Sequence, residues 1–169
     1  MKRVSKKLIW GLVLLAILLT GCESAEEEPA VIAIGSEAPV FSLKSLDGTT
    51  VNSSSLKGNI VVLNFWATWC QPCMSEIPEL KKVAAGSGAK VVGIALDQEG
   101  TKTVQPFVAS HNINYTVLVG DEKVFQRFSG VGIPFTLVLD RSQRVVKIYR
   151  GPTTQEALEQ DMEMIARGT

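Results

Sequence analysis

Histidine occurs once in the 169 residues and cysteine three times, and the only close cysteine pair is Cys70 and Cys73. A structural zinc site normally takes four nitrogen or sulfur ligands. With Cys22 and His111 as the only other candidates, the sequence offers no second pair to complete one, and no metal site is expected. No basic stripe with interleaved aromatics is visible, which argues against a nucleic-acid partner. No run of roughly 20 apolar residues occurs, so no ordinary membrane-spanning helix is expected. Internal repeats and low-complexity tracts are also missing. The length suits one domain with appendages, and 46% hydrophobic residues suffice for a core.

Charge is balanced overall but not along the chain. Lys2, Arg3, Lys6 and Lys7 are four of the 17 basic residues, and no acidic residue precedes Glu23. Beyond residue 21 the balance is 13 basic against 17 acidic, a net charge of −4. The basic start, the apolar run from Leu8 to Leu19 and the small residues after it have the three parts of an export signal. The run ends Leu19-Thr20-Gly21-Cys22, which resembles the lipobox of bacterial lipoproteins. That resemblance implies a signal peptide over 1–21 and lipid attachment at Cys22. An uncleaved N-terminal anchor with an incidental cysteine is the alternative. Both put the folded part outside the cytoplasm beside a bacterial membrane, inner or outer. Residues 22–33 are acidic, small and proline-containing, and read as a solvated tether. The domain is expected over 34–169.

The informative stretch is Val61-Val62-Leu63-Asn64-Phe65-Trp66-Ala67-Thr68-Trp69-Cys70-Gln71-Pro72-Cys73. Its apolar, β-branched start reads as a buried strand. Ile77, Leu80 and Val83 follow at helical spacing, so the strand delivers Cys70 to a helix start. Free N–H groups and the positive end of the helix dipole stabilise an anion there. A thiol so placed has a lowered pKa, and the thiolate is the reactive form. Cys73 lies one turn on, within reach of a small disulfide ring. A purely structural bridge is the competing reading, although a two-residue spacer constrains an unfolded chain little.

The W-C-x-P-C string resembles the active-site segment of thioredoxin-fold proteins, most of all the membrane-anchored TlpA/ResA-like reductases of cytochrome c maturation. The resemblance implies an α/β, thioredoxin-like fold, with a central mixed β-sheet flanked by helices and an N-terminal β-hairpin extension. Pro39–Leu43 and Thr49–Val51, joined by the turn signal Asp47-Gly48, supply that hairpin. Peroxiredoxins share a similar lead-in. Lys90–Leu96 and Tyr115–Val119 read as further strands, and Thr103–Ser110 and Asp121–Phe128 as helices. Phe135–Leu139 and Arg144–Tyr149 read as an antiparallel pair. Pro78 should kink the active-site helix. Thr153 and Glu156 read as a capping box for a last helix, with Leu158, Met162 and Ile165 on its inner face.

In the resembling proteins the proline matching Pro134 follows a cis peptide bond and its loop faces the cysteines, a role carried here to Ile133 and Pro134. An ordinary trans proline at a strand entrance is what the residues alone favour. Trp69, Gln71 and Pro72 complete the expected substrate-binding set. Cys70 is the expected nucleophile and Cys73 the resolving thiol, with the pair as redox group and no cofactor. Where thioredoxins carry an acid in the first strand, this chain has Asn64. The reductases use a buried glutamate after the next strand, which alignment places at Glu99, with Asp97 as the neighbour that could serve; both could equally be solvated loop acids. The expected function is an extracytoplasmic thiol–disulfide oxidoreductase reducing protein disulfides, apocytochrome c among them. It would be re-reduced by a membrane thiol donor and act as a monomer. A peroxiredoxin-type peroxide reductase and a non-catalytic peptide-binding module are the alternatives. Thr68, only two residues before Cys70, does not match the peroxiredoxin spacing.

Overall fold

A computed structural model describes residues 31–86 and 88–168; the expected leader, Cys22 and the tether up to residue 30 lie outside them. Seven strands form one mixed sheet among the described residues: β1 (Ser42–Ser45), β2 (Thr50–Asn52), β3 (Val61–Trp66), β4 (Lys90–Ala95), β5 (Thr116–Val119), β6 (Phe135–Leu139) and β7 (Val145–Arg150). Four helices flank it: α1 (Gln71–Ala85), α2 (Thr101–Ser110), α3 (Glu122–Arg127) and α4 (Gln155–Arg167). The strand order is β2-β1-β5-β4-β3-β6-β7. β3, β4 and β5 run parallel, β6 pairs antiparallel with β3, and β7 pairs antiparallel with β6. The expected leading hairpin pairs Leu43 with Val51 and joins the sheet through β5. Its turn places Gly48 at φ +85°, where a side chain would be strained.

β3 is the spine. All six of its residues are buried, because β4 and β6 flank it and helices cover both faces. Its register sets Val61 opposite Lys90 and Leu63 opposite Leu137. Alternation then divides its side chains. Leu63 and Phe65 enter a core with Ile94, Leu118 and Leu137, capped by Phe41, Phe125 and Phe128. Phe65 meets Phe128 and Phe125 at ring-centroid distances of 5.1 and 5.3 Å. On the opposite face Val62 packs with Leu80 and Val83 of α1 and Leu158 and Ile165 of α4. Trp66, at the end of β3, joins a third cluster containing both cysteines.

Two local expectations need correcting. Ile32, within the expected tether, is buried in the core, and its N–H donates to Ser129 Oγ at 3.0 Å. An apolar side chain two residues before the expected boundary is enough to dock the strap. The N-cap of α4 is Thr154, whose hydroxyl accepts from Ala157 N, while Thr153 turns inward and is buried. Pro78 lies inside α1, which is helical on both sides of it.

A glycine links this packing to the redox end of the sheet. A Cβ on Gly93 of β4 would stand 2.9 Å from Trp66 Nε1 and 3.2 Å from the Tyr115 ring. Trp66 is 1% exposed and cannot swing away. Gly93→Ala should therefore cost about 1–3 kcal/mol by overpacking, read as a lower urea midpoint with an unchanged slope. A neutral result would show that the indole has room to move.

Candidate functional site

Cys70 is the N-cap of α1, with extended backbone, and its sulfur accepts the Cys73 N–H at 3.3 Å. Gln71 and Pro72 fill the first helical positions, where a proline loses no useful N–H. Cys70 and Cys73 are joined by a disulfide with their Cα atoms 5.3 Å apart. Cys73 is wholly buried and Cys70 is 4% exposed, so what solvent reaches the bridge reaches Cys70. Trp69, Gln71 and Pro72 are exposed around it. The Ile133–Pro134 peptide is cis, as expected, and Ile133 packs against the cluster that contains both cysteines. The strand end, the helix start and the loop before β6 thus converge on one sulfur bridge.

Beneath it lies a carboxyl group absent from the expected set. Glu76, one turn of α1 beyond Cys73, is 1% exposed. Its Oε1 accepts from Asn64 Nδ2 at 2.6 Å and its Oε2 from the Thr153 N–H at 3.2 Å. Asn64 Nδ2 also donates to Thr136 Oγ1 at 2.9 Å. Burial pushes the Glu76 carboxyl up to about 7, against the two hydrogen bonds that pull it down. The Tyr115 hydroxyl is raised by burial and, secondarily, by the charge of Glu76. The signal was present in the sequence: an acid at position 76 falls on the same helical stripe as Cys73, Ile77 and Leu80.

Glu99 is not the buried acid that alignment suggested. It is exposed, bonded to Thr103 and paired at 3.5 Å with Lys102. The loop after β4 turns Asp97 inward and Glu99 out. Asp97 is 5% exposed, and both its carboxylate oxygens accept from Thr68 N, at 3.1 and 3.3 Å. The Thr68 hydroxyl donates to it as well. Trp69, Asp97 and Ile133 share the lining of a groove of about 710 Å³ beside the bridge. Among the described residues no group of three His, Cys, Asp or Glu is placed to hold a metal ion.

Comparison with known proteins agrees with this geometry. Residues 34–169 match the profile of the AhpC/TSA family. The thiol-disulfide oxidoreductase ResA of Bacillus subtilis is 32% identical over 141 residues, covering 81% of this chain and 78% of that protein. The thioredoxin-like protein YneN of the same organism is 28% identical over 94% of this chain and 98% of its own length. A crystal structure of a thiol:disulfide interchange protein of the thioredoxin family from Chlorobium tepidum superposes with a TM-score of 0.68. It is 34% identical and covers 79% of this chain and 97% of that one. The sheet and its flanking helices form a thioredoxin-like fold.

The buried acid has a consequence for stability. Between pH 4.5 and about 7 the folded chain keeps a proton that the unfolded chain has released. Stability therefore falls as pH rises through that window, by up to about 3 kcal/mol. Glu76→Gln should flatten this dependence in urea melts at pH 5 and pH 8. An unaltered slope in the variant would show that another group carries it.

Proposed function

Since the chain belongs to the AhpC/TSA family, beside the ResA thiol–disulfide oxidoreductases, we propose that it reduces disulfides of proteins outside the cytoplasm. It is a thiol–disulfide oxidoreductase whose redox group is the Cys70–Cys73 pair. The observation that carries the proposed roles is the seat of that pair. A bridge at the mouth of α1 exposes only Cys70, next to an open groove, and has a titratable acid one turn below Cys73.

In the reduced enzyme the Cys70 thiolate attacks one sulfur of the substrate disulfide. The substrate bridge breaks, a mixed disulfide with Cys70 forms, and one substrate sulfur leaves as a thiolate that takes up a proton. Cys73 then gives its proton to Glu76 and attacks the Cys70 sulfur. The second substrate sulfur departs as a thiolate and takes up the proton held by Glu76, and the Cys70–Cys73 bridge closes. The substrate has gained two electrons and two protons: one proton is that of Cys73, and the other comes from solvent, to which Cys70 lost its own on forming the thiolate. A carboxyl poised near 7 holds and releases a proton with equal ease at neutral pH, which suits this step. Trp69, Gln71, Pro72 and the backbone at Ile133 and Pro134 border the bridge and would receive the substrate segment.

Re-reduction requires a thiol donor. A signal peptide over 1–21 and a lipid on Cys22 would hold the domain, as a monomer on its tether, near a membrane protein able to supply electrons. Support for this rests on the basic–apolar–small pattern and the Leu-Thr-Gly-Cys sequence. Among the described residues no helix is long and apolar enough to cross a membrane. Apocytochrome c is the substrate implied by the resemblance to the cytochrome c maturation reductases.

Trapping separates the two sulfurs. Cys73→Ala should accumulate mixed disulfides with substrate proteins through Cys70, whereas Cys70→Ala should accumulate none; the opposite pattern would reverse the roles. In the same assay Glu76→Gln should prolong the mixed disulfide of the otherwise intact enzyme by about a hundredfold, and Glu99→Gln should leave its lifetime unchanged. A Glu99→Gln defect with a normal Glu76→Gln would move the proton acceptor to the loop after β4.

A further inference from the structure

The Glu76 network leaves a second buried carboxylate unexplained. Asp97 lies two residues past the end of β4 and is 5% exposed, yet among the described residues none of the ion pairs includes it. Its side-chain partner is Thr68, which donates both a backbone N–H and its hydroxyl. Burying an acid without a cation is costly unless hydrogen bonds satisfy it. A neutral side chain would tie down the loop at less cost. The loop it ties is the one that carries the reaction, because Cys70 is two residues past Thr68 and its N–H donates to Ala67 O at 3.1 Å. The loop is pinned a second time where Leu96 N donates to Trp66 O at 2.9 Å. Asp97 and Trp69 line the same groove beside the bridge.

We propose that Asp97 is a positioning residue for Cys70: by clasping Thr68 it fixes the reactive loop, and its charge beside the sulfur makes the dithiol a stronger reductant. This inference deepens the proposed function and rests on it. The physical argument sets two fields against each other at one atom. The start of α1 stabilises a thiolate on Cys70, and a fixed anion nearby raises its energy. Where Cys70 is ionised, oxidation of the pair removes two electrons and the one proton left on Cys73, and leaves the neutral bridge. Whatever destabilises the thiolate therefore favours the bridge and makes the pair give up electrons more readily. The two acids then have separate tasks. Glu76 lies one turn below Cys73 and handles its proton; Asp97 lies behind the loop and sets the poise of Cys70.

The experiment uses the purified full-length protein, with two readouts that need no natural substrate. One is the pH dependence of iodoacetamide alkylation at Cys70 in the reduced protein. The other is equilibration with reduced and oxidised glutathione. Asparagine keeps an acceptor oxygen for the Thr68 N–H, and its amide can donate to the hydroxyl. Asp97→Asn should raise the thiolate fraction of Cys70 at a fixed pH below its pKa by roughly tenfold. At a pH above that pKa, where the thiolate is the reduced form, it should shift the glutathione equilibrium toward the dithiol by a similar factor, where tenfold is about 30 mV. Thr68→Val keeps the charge and loosens the clasp. It should leave the thiolate fraction within about threefold of wild type, yet slow the reaction of the dithiol with oxidised glutathione; Thr68→Ser should restore the rate.

The inference is overturned if Asp97→Asn changes neither the thiolate fraction nor the equilibrium, or if Thr68→Val moves both as far as Asp97→Asn does. Should Asp97→Asn not fold, a wild-type rate in Thr68→Val overturns it instead. A wild-type protein that never equilibrates with glutathione refutes the proposed function; one that equilibrates beside an unresponsive Asp97→Asn refutes only the inference.

Discussion

A carboxyl group sealed under the redox pair is the constraint around which the domain is arranged. Glu76 hydrogen-bonds to β3 through Asn64 and to the chain entering α4 through the Thr153 N–H, while Asn64 reaches across to Thr136 of β6. Four separate segments must therefore dock before the group is satisfied. A buried polar network is favourable only when complete, and an acid left half-bonded at this depth would cost more than it returns. The fully buried β3 supplies the rigid floor. Its register with β4 and β6 fixes where it ends, and that end presents Cys70 to α1.

The chemistry then follows from unequal surroundings given to similar groups. Two cysteines three residues apart differ in access: the first caps the helix and keeps a sliver of exposure, and the second is closed off. Two buried acids differ in partners. Glu76 sits among neutral donors deep in the core and is shifted toward neutrality by burial, while Asp97 is engaged on both oxygens by the loop it holds. Environments that separate like groups are how one scaffold assigns distinct proton and electron roles. The groove lined by Trp69, Asp97 and Ile133 opens next to the residue that precedes Cys70.

Much of the fold was legible in the sequence because its signals are local. The apolar run of β3, the cysteine spacing, the Asp47-Gly48 turn and the Ile133-Pro134 string each lie within a few residues. The redox pair could be named for that reason, whereas the cis bond before Pro134 came only from the resemblance, because the residues alone favour trans. For Glu76 the local signal, its place on the stripe of Cys73, Ile77 and Leu80, marks only an inward face; its satisfaction depends on Thr153, 77 residues on, and on Asn64 across the helix–sheet interface. Asn64 itself was noted as the wrong residue type for a proton acceptor; its partner, rather than its own chemistry, explains it. The choice between Asp97 and Glu99 turned on which side of a loop faces inward, a matter of tertiary docking. The one-residue slip at the last helix has the same origin. Glu156, three residues on, marks Thr153 as the cap by sequence, and the demand of Glu76 for the Thr153 N–H accompanies the choice of Thr154.

The central claim is that Glu76 is a protonatable acid at neutral pH in the folded, bridged protein. Isotope-edited NMR of its side-chain carboxyl carbon, followed through a pH titration, tests this most directly. The account predicts a midpoint at about 7. A midpoint in the ordinary carboxylate range, near 4.5, would contradict it and would leave Cys73 without its proton acceptor.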